Sequence, residues 1–143
     1  MFAPSQEQVR RFFCETWAKH QAGQLLTPLE AQAADWITQH PEYHADLSDV
    51  DAAVAAVFEV EEGRTNPFLH LSMHLSITEQ VSIDQPRGVR AAVELLASRL
   101  NSLHEAHHEA MEALGEMVWE SQRFGKPFDG ERYIDRIRQR ATR

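Results

Sequence analysis

Helical spacing along nearly the whole chain predicts an all-α protein, a single-domain helical bundle with an antiparallel helix pair at its centre. Three observations carry this expectation. Apolar residues recur every three or four positions, as in Val9, Phe12, Phe13, Thr16 and Trp17, which share one helical face. Helix-start signals precede several of these runs. No segment shows the period-two alternation between turn clusters that a half-buried strand requires.

Ser5 is placed to cap a first helix that ends near Ala22-Gly23. Thr27-Pro28-Leu29-Glu30 opens a second, with Thr27 as cap, Pro28 at the first helical position and Glu30 closing a capping box. That helix should run to about His40, because Pro41 disfavours helical geometry in the residue before it. Glu42 to Phe58 reads as short helical pieces around Asp46 to Asp51, and Glu59 to Thr65 as a charged loop. A helix from Pro67 to about Ile83 follows, then a turn at Asp84-Gln85-Pro86-Arg87-Gly88. From Val89 the pattern continues to Phe124 with a candidate break at Asn101-Ser102. Gly125, Lys126 and Pro127 end it, and Asp129 introduces a last helix through about Gln139.

With 143 residues the chain fits one domain, residues 1–143, long enough to bury a core without a disulfide or structural metal. A formal charge of −8 argues against general nucleic-acid binding, which needs clustered cations to neutralise phosphates. A lone cysteine, Cys14, has no internal disulfide partner, and the Met1 end lacks the pattern of a secretory signal; both point to the cytoplasm. No apolar run approaches the roughly 20 residues needed to span a bilayer. The expected partners are therefore another protein or a second copy of the chain.

The segment NPFLHLSMHLSITEQ, Asn66 to Gln80, reads as a buried helix with two imidazoles in its apolar run. At about 100° per residue, His70, Met73, His74, Ile77 and Val81 fall on one stripe. The same construction groups Leu100, His104, His107, His108, Met111, Gly115 and Val118, with Glu112 and Trp119 at the edge. The short turn at Asp84 to Gly88 favours antiparallel flanking helices, and counting outward from it puts His70 within about one turn of His104. Two inward His-x-x-x-His pairs could then share a volume. Imidazoles at that spacing leave the same helical face, and neutral imidazole nitrogens ligate Zn, Fe, Ni or Cu. The expected ligands are His70, His74, His104 and His108, with Glu112 or Glu105 as ligand or supporting carboxylate.

Glu105 and His108 form one Glu-x-x-His motif of the di-iron type, but no second is found, so a mononuclear site is easier to build. Histidine pairs on helices are also satisfied by carbonyls, carboxylates or buried water, which keeps a purely structural role open. Pro41 separates His40 from His44 and favours a capping or surface role for both, while His20 suits the carbonyl-rich end of the first helix. Cys14 lies off the main apolar stripe with no activating motif nearby. Trp17, Trp36 and Trp119 read as core or groove aromatics, and Arg132, Arg136, Arg138, Arg140 and Arg143 as a solvated basic end.

With Asn66 to His74 and Glu79-Gln80-Val81-Ser82-Ile83-Asp84-Gln85-Pro86 in view, the chain resembles, nearly end to end, a small bacterial family known as a domain of unknown function. That resemblance implies no activity. A looser likeness, carried by His70/His74 and His104/His108 with Glu112, is to hemerythrin-like metal-binding bundles, although the order and spacing depart from the full hemerythrin pattern. The expected function is transition-metal binding. The alternative is a non-enzymatic interaction module with structural histidines, whose partner surface uses exposed aromatics or the arginine-rich end.

Overall fold

In the computed structural model, residues 5–58 and 66–142 are described. The charged loop expected at Glu59 to Thr65 lies outside them, as do Met1 and Arg143. The protein is all-α. Its helices are α1 (Gln6–Gln21), α2 (Pro28–Thr38), α3 (Val50–Ala55), α4 (Pro67–Ile83), α5 (Val89–Leu100), α6 (Leu103–Phe124) and α7 (Gly130–Ala141), with a 3₁₀ turn at Pro41–Tyr43. No strand occurs among the described residues. The chain divides into two compact units, residues 1–75 and 76–143.

In the first unit the local rules operate as written in the sequence. Ser5 and Gln8 close one capping box, and Thr27 and Glu30 the other: Thr27 Oγ1 accepts from the Glu30 amide at 3.2 Å and Glu30 Oε1 from the Thr27 amide at 2.9 Å. Lys19 Nζ reaches Glu30 Oε2 at 2.9 Å and so ties α1 to the start of α2. α1 packs against α2 and α3. Phe13, Trp17, Trp36, Ile37, Phe68 and Leu71 form the centre of a buried cluster; burial of each such side chain contributes about 1.5–3 kcal/mol.

Arg10 enters that interior from α1. Its Nη1 donates to the carbonyls of Ala53 at 2.8 Å and Ala56 at 2.7 Å, and the guanidinium lies 5.6 Å from the Phe58 ring centre and 5.3 Å from that of Phe68. It thereby satisfies the carbonyl-rich end of α3. Thr16 is fully buried, and its Oγ1 has no hydrogen-bond partner among the described residues. Thr16→Val keeps the shape and removes a desolvated hydroxyl, so it should raise stability by about 1 kcal/mol in urea unfolding. A loss of that size instead would mean the hydroxyl is bonded in solution.

In the second unit α5, α6 and α7 pack pairwise. The turn after α4 is held by Asp84, whose Oδ1 accepts from the Gly88 and Arg90 amides at 3.1 Å each, while Arg90 Nε donates to the Val81 carbonyl at 2.8 Å. Gln80 Oε1 accepts from the buried Tyr133 hydroxyl at 2.7 Å, which joins the end of α4 to α7. The expected break falls at Asn101, whose left-handed backbone (φ 54°) stops α5, and Ser102 caps α6 through the Glu105 amide at 3.0 Å.

The arginine-rich end is not the free solvated face expected from sequence. Arg140 Nη1 reaches Glu112 at 2.8 Å and Glu109 at 3.1 Å, and its Nη2 reaches Glu116 at 3.0 Å. Arg136 contacts Glu120 at 2.6 Å and Glu116 at 3.2 Å. The one-turn spacing of Arg132, Arg136 and Arg140 along α7 matches the glutamates of α6, so the cations are used within the fold. Of the two places expected for Trp119, core or groove, it takes the groove, beside Glu116 and Arg136: it is 59% exposed, because the buried stripe of α6 runs through Ala106, His107, Ala110, Met111, Ala113 and Met117. Gly115 and Val118 are exposed for the same reason.

Candidate metal centre

Two imidazoles face one another in the first unit. His40, at the start of the 3₁₀ turn, is buried with its Nε2 3.0 Å from Nε2 of the fully buried His74 on α4. Each ring has a fixed plane. The His74 ring stacks on Trp36, with centroids 4.1 Å apart and planes 14° apart, and the His40 ring stacks on Tyr43 at 5.1 Å and 14°. His70 is only partly buried; its ring lies edge-on, 4.7 Å from His40 and 4.8 Å from His74.

Glu42 completes this arrangement. Its Oε2 lies 2.8 Å from His40 Nδ1, and that hydrogen bond holds the carboxyl below the usual glutamate range. An ionised carboxylate only accepts, so Nδ1 carries the proton and, in the neutral ring, Nε2 presents its lone pair toward His74. Tyr43 is pushed up to about 12, chiefly by burial, and remains a neutral wall of the site at physiological pH.

His40 is the functional candidate that sequence reasoning placed elsewhere. Pro41 does separate it from His44, but the 3₁₀ turn this proline opens points His40 inward and leaves the capping role to His44 alone, whose Nε2 donates to the Ile37 carbonyl at 2.9 Å. The available signal was His40-Pro41-Glu42 itself, an imidazole followed two residues later by a carboxylate. His20 stacks against Trp17, with centroids 5.3 Å apart, near the end of α1.

In the second unit, His104 and His108 lie one turn apart on α6, both partly buried, with ring centroids 4.4 Å apart. They sit on α6, the helix that follows the Asn101 break. Glu105 Oε1 is 3.8 Å from His108 Nδ1, too long for a hydrogen bond. Glu112 is engaged by Arg140 and turns its carboxylate to an exposed ion-pair ladder. Between the two candidate ligands lies His107, buried, with its pKa pushed down to about 4 by burial and secondarily by His104 and His108.

The separation of the His40 and His74 nitrogens is close to that of two imidazole ligands of one ion. Two imidazole nitrogens at about 2.0–2.1 Å from a tetrahedral ion stand about 3.3 Å apart, so the 3.0 Å pair would open slightly as the ion takes the place of the hydrogen bond between them. Cys14 offers no competing chemistry: burial pushes its thiol up to about 11.

No helix among the described residues is long and apolar enough to cross a membrane. No characterised protein and no solved structure matches the chain, and the looser likeness to hemerythrin-like bundles gains no support from these comparisons. A family model described as a domain of unknown function (DUF1841) matches residues 5–139, nearly the whole chain, and the protein belongs to that family.

Proposed function

We propose that this protein binds a transition-metal ion, Zn, Fe, Ni or Cu, at a site built on His40 and His74 of the first unit. The observation that carries the reading is the buried His40–His74 pair, two ring nitrogens 3.0 Å apart with one ring oriented by a carboxylate. In this reading His40 joins the expected His74, with His70 beside both rings, while the Glu112 carboxylate pairs with Arg140. All-nitrogen donors suit borderline transition metals and disfavour Mg and Ca, which take oxygen ligands.

Metal analysis of protein purified without an affinity tag tests this directly. Wild type should retain or take up one equivalent of one of these ions, and His74→Gln should abolish stoichiometric binding. Metal binding to wild type should also raise the melting temperature, an increment that shrinks on acidification because ligating imidazoles must be unprotonated. Wild-type protein that stays metal-free after aerobic and anaerobic reconstitution sinks the proposal.

A second reading, a protein-interaction module with structural histidines, draws on one observation. Trp119, Phe124 and Phe128 are all substantially exposed around the end of α6 and the start of α7, and exposed aromatics are enriched at protein interfaces.

A further inference from the structure

Building on the metal-binding reading, we infer that Glu42 is the positioning residue of the site: its carboxylate fixes the His40 tautomer so that Nε2 is a ready ligand. The geometry is local in origin. His40 precedes the Pro41–Tyr43 turn, and this turn folds the Glu42 side chain, two residues on, back to Nδ1 at 2.8 Å. The stacked Tyr43 ring fixes the plane in which Nε2 points at His74. Without the carboxylate, His40 can carry its proton on Nε2 and donate it toward His74, which leaves no lone pair for a metal. A carboxylate behind a ligating imidazole also makes the ring a better donor, and loss of such a partner typically costs 10–100-fold in metal affinity. The Glu42 side chain is 58% exposed, so water substitutes for it in part and the expected loss is about tenfold, the low end of that range.

The test uses the full chain, with Zn(II) as probe. Long-range nitrogen–proton NMR of the metal-free protein reads the tautomer, and competition with a chromophoric chelator reads affinity. Wild-type His40 should carry its proton on Nδ1. In Glu42→Ala the tautomer should shift toward Nε2–H and Zn affinity should fall about tenfold, while Glu42→Gln, which keeps a neutral acceptor, should recover part of both. The metal-free melting temperature separates positioning from simple loss of fold. A wild-type His40 protonated on Nε2, or an unchanged Zn affinity in a folded Glu42→Ala protein, overturns the inference and leaves the metal reading standing. Failure of wild type to bind Zn or any of the other three ions overturns both as statements about metal, and the NMR result then shows whether Glu42 still orients the ring.

Discussion

Arg10→Met is expected to destabilise the protein by about 3 kcal/mol, within the range for removing one partner from a buried charged hydrogen-bond network. Methionine retains much of the aliphatic volume but no donors. The Ala53 and Ala56 carbonyls, bonded at 2.8 and 2.7 Å in wild type, would then be left without their Arg10 partner at the end of a helix of only six residues. The contacts with Phe58 and Phe68 lose their cationic component as well. Among the described residues no carboxylate forms an ion pair with Arg10; carbonyl dipoles and ring faces balance its charge, and the cost of the substitution lies in those groups. Urea unfolding followed by far-UV circular dichroism should show a lower midpoint with an unchanged slope. Arg10→Lys keeps the charge but not the forked donors, and should fall between the two. A midpoint for Arg10→Met equal to that of wild type would show that the buried guanidinium contributes no net stability.

Acidification should cost the metal-free protein about 3 kcal/mol between pH 6.5 and 4 through His107 alone, at 1.36 kcal/mol per pK unit. The sign follows from the depressed native pKa. Below 6.5 the unfolded chain takes up a proton on His107 that the folded chain refuses until about pH 4, so stability is full above the unfolded value and is lost as pH falls across the window. Glu30, Glu42, Asp84 and Glu120, whose pKa values are also lowered in the fold, lose their contributions at the acid end of this range and below, since their ordinary values are 3.8 to 4.5. The upper part of the window therefore isolates the histidine. His107→Gln removes the ionisation and should flatten the dependence of stability on pH between 6.5 and 4.5, measured in chelator to keep His104 and His108 metal-free. An equally steep profile in the variant would assign the acid sensitivity to other groups.

Much of the fold was legible because local chemistry dictates it. The capping boxes at Ser5 and Thr27, the proline entry to α2 and the break at Asn101 are decided within four or five residues, and each stands where the sequence puts it. The inward direction of His74 was equally legible, since Leu71, His74 and Ile77 share a helical face. Periodicity was less informative on α6. There the apolar set was wide enough to fit several stripes, and packing chose the one through Ala106, Ala110, Ala113 and Met117, which left Val118 and Trp119 outside.

Sequence by itself determined an all-α chain, the places where its helices begin and end, and the presence of histidines on buried helical faces, because these depend on neighbours one to four positions away. Tertiary structure alone decided that His40 meets His74 across 34 residues, that Glu42 stands behind it, and that Arg140 claims Glu112. The physical reason is range. A side chain's partner across a fold is set by how whole elements pack, and a 3₁₀ turn of three residues redirects an imidazole from the surface to the interior without altering the periodicity on either side.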